Sequence, residues 1–179
     1  MIYVSPILSN PPETYRTPLQ QRVYETLAEL SIPIERVDNE PAITMEDCEA
    51  IDARFGGETV KTLLVCNRQQ TQYYLFVTPG NKPFVTKDFS AAMGISRVSF
   101  APTDQLQPLL GTCLGATTVF SILLDSTKDI TVVLDKAVAD STDYICTDGT
   151  TTGYMRLKTA DLLQKVFPFA GRVPVIREV

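Results

Sequence analysis

The chain has 179 residues, of which 44% are hydrophobic and 21% charged, and a net charge of −5. That length and balance fit one globular domain and exclude a chain that is disordered throughout. No apolar run approaches the roughly 18–20 residues of a bilayer-spanning helix, and the opening MIYVSPILSNPPE lacks the basic-then-apolar layout of a secretory signal, so a cytoplasmic protein with no membrane partner is expected.

Residues 1–16, with Pro6, Pro11 and Pro12, read as an extended lead-in to a single domain over 17–179. Thr17-Pro18 is an N-cap followed by proline at the first helical position, and Leu19, Val23, Leu27 and Leu30 mark one buried helical face. Residues 32–37 (IPIERV) alternate as a short strand. Thr44-Met45-Glu46-Asp47 resembles a capping box with Asp in the reciprocal place, opening a helix that runs to Phe55 and stops at Gly56-Gly57.

Residues 60–66 (VKTLLVC) and 72–78 (QYYLFVT) are strands joined by a turn at 67–70. A turn at 79–82, a helix over 86–93 stopped by Gly94, a strand over 97–100 and a helix over 103–110 follow. Gly111–Gly115 is a glycine-bounded loop, and 116–124 reads as a buried turn leading into a strand. Residues 130–134 (ITVVL) form a strand. Tyr144-Ile145-Cys146 leads into the polar run 147–153, residues 154–157 form another strand, and Thr159 caps a last helix to about Val166. The interleaving lacks a strict βαβ rhythm, so the expected class is α/β (α+β): a mixed β-sheet flanked by helices.

Chemistry is bounded by what is missing. There is no histidine, which removes Ser-His-Asp and Cys-His catalysis and histidine general bases. Cys48, Cys66, Cys113 and Cys146 are scattered without a CxxC pair, which reads as reduced thiols, mostly in the core, rather than a zinc site. No cofactor or metal is expected. Lysine, carboxylates, hydroxyls, backbone amides and the substrate's own groups remain.

Charge is unevenly spread. Residues 1–60 carry four basic and eleven acidic residues, and residues 101–179 carry seven and nine; residues 61–100 carry Lys61, Arg68, Lys82, Lys87 and Arg97 against Asp88 alone. A pI near 4.8 does not suit a general nucleic-acid coater, whereas a local basic segment suits one phosphate or one nucleic-acid end. Three candidate elements stand out. Lys61 lies inside an apolar strand, where its stem either snorkels to the surface or carries an ammonium to a pocket. Gly111–Gly115 with Ala116-Thr117-Thr118 can bring backbone N–H groups to an anion, but it is not a P-loop. Thr147-Asp148-Gly149 and the threonines after them form a narrow polar wall or an ordinary hairpin loop.

The order of these segments carries more than any one of them. Residues 35–46 (ERVDNEPAITME), 60–68 (VKTLLVCNR), Tyr73 to Lys87 with Thr86-Lys87-Asp88, and 97–101 (RVSFA) together resemble the YbaK/ProX family of aminoacyl-tRNA deacylases, in its free-standing branch related to the editing insertion of bacterial prolyl-tRNA synthetases. The resemblance covers about residues 18–170. It implies a mixed sheet with helices around a single pocket, and hydrolysis of the ester joining a wrong amino acid to tRNA, with Ala-tRNA(Pro) or another small aminoacyl-tRNA as substrate. The implied partners are the tRNA acceptor end and prolyl-tRNA synthetase. It places Lys61 and Gly115 at the catalytic position, and Thr44, Thr62, Arg68, Thr117, Thr118, Thr147, Asp148 and Gly149 at the substrate.

The chain departs from the family pattern at four places. Thr62 stands where Asn is frequent, Leu114-Gly115 where Pro-Gly is common, Thr147-Asp148 where a His-Pro segment often lies, and Asn39-Glu40 where a His often precedes Pro41. The loss of the histidine leaves an alternative of another class: a non-catalytic aminoacyl-tRNA or amino-acid binding module of the same fold. In the hydrolase reading, amides around Gly115 hold the oxyanion, Lys61 holds a phosphate or the ester region, and a ribose hydroxyl activates the water.

Overall fold

The first helix, α1 (Pro18–Glu29), starts where Thr17 accepts the Gln20 N–H at 3.0 Å and Pro18 occupies the first turn. Leu19, Val23 and Leu27, four residues apart, are buried along its length. In this computed structural model, which describes residues 1–179, α1 is followed by β1 (Glu35–Asp38) and α2 (Glu49–Phe55), then by the hairpin strands β2 (Val60–Cys66) and β3 (Tyr73–Pro79). Next come α3 (Thr86–Met93), β4 (Ser99–Phe100), α4 (Leu106–Leu110), a 3₁₀ turn over Val119–Leu123, β5 (Thr131–Asp135) and α5 (Lys136–Ala139). β6 (Asp143–Thr147) and β7 (Gly153–Lys158) form a second hairpin. The last helix passes from α6 (Thr159–Asp161) through a π turn at Leu162–Val166 into α7 (Phe167–Phe169), and β8 (Val175–Arg177) ends the fold.

The mixed sheet is built in two pieces. Five strands run in the order β4-β2-β3-β5-β8, with β2 antiparallel to β3 and β4, and β3-β5 and β5-β8 parallel. Three strands, β1-β7-β6, form an antiparallel sheet. An isolated parallel bridge between Thr59 and Ile145 joins the two. The lead-in lies along β1, through bridges from Val4 to Asn39 and from Leu8 to Arg36.

Alternation along the strands sorts two cores. Leu64, Leu75, Val77, Val132 and Leu134 face a 25-residue cluster that takes in α1, α4, the 3₁₀ turn, β6, β7 and the last helix. Val65, Tyr74, Phe76 and Val133 face the other way, onto Phe89 of α3 and Val98. Gly94 ends α3 with φ +66°, a conformation that costs an L-residue about 1–2 kcal/mol.

Several elements differ from the sequence expectation. The strand expected at 32–37 begins at Glu35, and that at 97–100 shrinks to an exposed two-residue edge. Residues 119–123 form the buried turn expected there, a 3₁₀ turn capped where Thr118 accepts the Phe120 N–H, and the strand it leads to begins only at Thr131. β8 has no counterpart among the expected elements; Val175 packs at the edge of the smaller core while Ile176 and Arg177 are exposed, so it shows no alternating apolar pattern.

Asp148 joins the β6–β7 loop to α1. It is fully buried, and its carboxylate accepts from Gln20 Nε2 at 2.9 Å, Tyr24 Oη at 2.8 Å and Thr150 Oγ1 at 2.7 Å. Burial and the Asp148 charge together push the Tyr24 hydroxyl well above its ordinary pKa, so it stays a donor. Asp148→Ala strands several buried donors and is expected to cost about 3 kcal/mol or more, a fall in Tm of roughly 10 °C for a chain of this size. A thermal melt within about 2 °C of wild type would show that the network does not hold the loop.

Candidate functional site

Strand β2 is bonded to β3 along its whole length. Its outer edge is closed at one end by β4, where Cys66 pairs with Ser99, and where Ala101 N–H donates to Leu64 C=O at 2.9 Å. Residues two apart present their peptide groups to the same edge. Thr62 therefore turns its N–H and C=O outward, at a place that no strand reaches. A cavity of about 390 Å³ opens there. Its walls come from residues 43–48 ahead of α2, from residues 60–64, from residues 100–106, from Leu114, Gly115 and Thr117, and from Cys146, Thr147 and Tyr154. Most of its lining is apolar, with a few polar groups converging on it, the usual character of a small-molecule site.

The loop wall is fixed by close packing. Gly115 has φ +86°, and a Cβ there would sit 2.9 Å from Ile43 Cα and 3.4 Å from Ala42 O. Only glycine permits this approach. The loop closes on itself through Ala116 N–H to Cys113 O at 3.0 Å, and the N–H groups of Leu114, Gly115 and Thr117 make no hydrogen bond within the chain. All three residues line the cavity, as does Thr62. Opposite, Asp47 accepts the Ile43 and Thr44 N–H groups at 3.0 Å each, while Thr44 Oγ1 accepts the Asp47 N–H at 3.2 Å. The reciprocal bonds of the capping box form, but on a turn, and α2 itself starts only at Glu49; the Thr44 and Ile43 amides hold the Asp47 carboxyl below the usual carboxylate range.

Lys61 also lines the cavity, but its side chain follows the alternation of β2 away from Thr62. It pairs with Thr78, and its ammonium donates to the Lys82 carbonyl. The turn that carries this carbonyl is anchored in turn: Lys82 Nζ lies 2.8 Å from Asp135 Oδ2, which also accepts the Thr78 hydroxyl at 2.9 Å. Burial lowers the Lys61 pKa, opposed by the nearby Glu58 charge.

The cavity thus brings together Thr44, Lys61, Thr62, Gly115, Thr117 and Thr147 of the residues named from sequence. Thr147 Oγ1 donates to the Thr150 carbonyl and accepts the Gly149 N–H at 3.2 Å, so its hydroxyl serves its own loop. Thr118 caps the 3₁₀ turn, Asp148 is the buried anchor described above, and Gly149, at φ +96°, packs against Leu19 and Thr118. None of these three lines the cavity. Arg68 stands in the turn beyond β2, roughly 20 Å along the strand from Lys61. Residues that sequence reasoning passed over make much of the wall: Ile43, Met45, Cys48, Phe100 and Tyr154. Cys48 Sγ and Tyr154 Oη lie 3.5 Å apart. Three of the four thiols are buried and Cys113 is exposed.

A family model, the aminoacyl-tRNA editing domain, matches residues 39–165, a span that contains every cavity wall. The chain belongs to the aminoacyl-tRNA editing domain family. It is 32% identical over 117 residues to the prolyl-tRNA editing protein ProX of Acetoanaerobium sticklandii, covering 65% of this chain and 71% of that protein. Its fold is shared with two solved structures. One is a hypothetical protein (TM-score 0.66, 20% identity, 87% of this chain and 98% of the other). The other is a candidate trans-editing enzyme for prolyl tRNA synthetase (TM-score 0.64, 15% identity, 92% and 99%). As a family member the chain is an ester hydrolase of the aminoacyl-tRNA deacylase class.

Gly94 and Gly115 offer a matched pair. Both lie in the left-handed region, but a Cβ at Gly94 meets nothing within 4 Å. Gly94→Ala is expected to lose only the roughly 1–2 kcal/mol of backbone strain and to keep the wild-type deacylation rate. Gly115→Ala must also push its loop off Ile43, and is expected to lose about 10²-fold or more in rate, the scale of one lost oxyanion donor. Equal rates for the two variants, measured on one mischarged tRNA, would remove the loop from the chemistry.

Proposed function

We propose that this protein acts in trans on mischarged tRNA, hydrolysing the ester of a small amino acid, with Ala-tRNA(Pro) as the first candidate. The observation that supports the reading is the shared cavity: Thr62, on the open edge of β2, and Gly115 and Thr117, whose N–H groups make no hydrogen bond within the chain, line one space of about 390 Å³, enough for an aminoacyl group on its ribose.

An aminoacyl ester is already activated, so it needs less assistance than a peptide bond. Water attacks the carbonyl carbon, and its proton passes through the neighbouring ribose hydroxyl to the departing ribose oxygen. The products are the free amino acid and tRNA with an intact 3′ end. The amides of Gly115 and Thr117 suit the oxyanion that forms on the carbonyl oxygen, since preorganised donors in a mostly apolar cavity need no reorganisation. The Thr62 N–H and C=O suit the amino acid's own polar groups. Lys61 holds positive charge at the cavity edge, anchored on the Lys82 carbonyl, and suits the terminal phosphate or ester region. No histidine takes part, and the cavity wall where the family often carries one is Thr147. A pocket that merely fits alanine discriminates by about 1–3 kcal/mol per methylene, so proline must be refused by collision with the wall.

Lys61→Ala is expected to lower deacylation of Ala-tRNA(Pro) about 10²-fold with its far-UV CD and Tm near wild type. A panel of tRNA(Pro) carrying alanine, serine, cysteine and proline reads selectivity at the same time. An unchanged rate in Lys61→Ala would take the ammonium out of the mechanism, and no ester hydrolysed by wild type would favour the binding-module reading. A lysine is charged below its pKa, and burial lowers that pKa for Lys61. The rate, corrected for spontaneous hydrolysis, should therefore begin to fall on the alkaline side earlier than an ordinary lysine would dictate. Lys61→Arg, which stays charged, should remove that fall; the same alkaline limb in both proteins would assign it to another group.

A further inference from the structure

Phe100 is an aromatic ring without a full set of neighbours. It is 58% exposed, yet it lines the cavity mouth. It belongs to β4, the two-residue strand at the outer edge of the five-stranded sheet. One side of its ring is buttressed by Phe84, with centroids 5.5 Å apart at 65°, and Phe84 in turn meets Phe76 and Phe89. The ring is thus held from behind and open in front.

Two cations of the central segment lie along the same edge. Cys66 pairs with Ser99; Arg68 follows β2 by two residues and Arg97 precedes β4 by two, so both stand past the same end of the strand pair. Neither forms an ion pair; of the five cations in residues 61–100 only Lys82 does. The edge therefore offers, in order, an apolar cavity, an exposed aromatic face and two uncompensated guanidinium groups, on a protein whose net charge is −5. That sequence of groups suits a single-stranded nucleic-acid tail, whose bases stack on aromatic faces and whose phosphates take arginine.

We propose that a single-stranded RNA 3′ end lies along β4, with its terminal base stacked on Phe100 and its upstream phosphates at Arg68 and Arg97. The inference rests on the proposed editing function, since the acyl group in the cavity fixes where the terminal base must lie. It gives Arg68 a place at the substrate that its distance from the cavity would deny it.

The test is binding, measured by fluorescence anisotropy with a 5′-labelled ACCA RNA and the same RNA carrying an abasic terminal residue. Wild type is expected to bind the intact RNA about tenfold or more tightly. Phe100→Ala should bind both alike, and Phe100→Tyr should keep the preference. Arg68→Gln with Arg97→Gln should weaken both RNAs and reduce the log–log salt slope by about 0.7 for each phosphate no longer neutralised. No RNA binding, no preference in wild type, or a preference that survives Phe100→Ala overturns the proposal. Turnover is read separately: base preference without ester hydrolysis removes the proposed reaction and leaves the platform, whereas hydrolysis without base preference does the reverse.

Discussion

Strand β2 is hydrogen-bonded on its inner edge along its length and on its outer edge only towards its ends, through β4 and through the Thr59–Ile145 bridge just ahead of it. The peptide of Thr62 faces the interval between them. Unpaired backbone groups in an apolar setting are costly unless something bonds them, and here a cavity leaves them open to an incoming ligand. The walls of that cavity come from segments far apart in the chain, and each is secured by its own device. The 43–48 segment is held by the Asp47 cap, the 113–117 loop by the close seating of Gly115 on Ile43, and the β6–β7 loop by buried Asp148.

These devices separate the groups that line the cavity from those that keep them in place. Asp148, Thr118 and Gly149 are buried and fully engaged with α1, the 3₁₀ turn and their own loop. Lys61 stands between the two classes. Its carbon chain borders the cavity, while its ammonium rests on a turn pinned by the Lys82–Asp135 ion pair. Asp135 is buried and has three hydrogen-bonding partners: Thr78, Lys82 and the Ala137 amide. In the proposed reaction the working groups are mainly backbone amides, and no imidazole is required.

Much of the frame is legible locally. Thr17-Pro18 and the four-residue spacing of Leu19, Val23 and Leu27 place α1; the apolar run 60–66, the aromatic and β-branched run 72–78 and the turn between them place the β2–β3 hairpin; Gly56 and Gly94 end their helices. Gly115 is legible as a close-approach glycine, though not what it approaches. The misplacements share a cause. Thr118 and Asp148 stand out by their polar side chains, but whether such a group faces a cavity or a buried donor is decided by partners far away, here Gln20 and Tyr24 for Asp148. Thr62 stands out by its hydroxyl, whereas the proposed reading uses its peptide group, whose place on an open strand edge is set by β4 and β6. Division of the sheet into two pieces, and the addition of β8, depend on the same long-range pairing. The apolar wall residues Ile43, Phe100 and Leu114 carry no local mark that distinguishes a cavity rim from a core.

The central claim is that backbone amides from two distant segments receive the aminoacyl group together. It is tested most directly by NMR, titrating the ¹⁵N-labelled protein with 3′-deoxy-3′-alanylamido-adenosine, in which a stable amide replaces the ester. The account predicts that the Thr62, Gly115 and Thr117 amide resonances shift together with one binding constant. Saturation of the protein with those three resonances unmoved would contradict it.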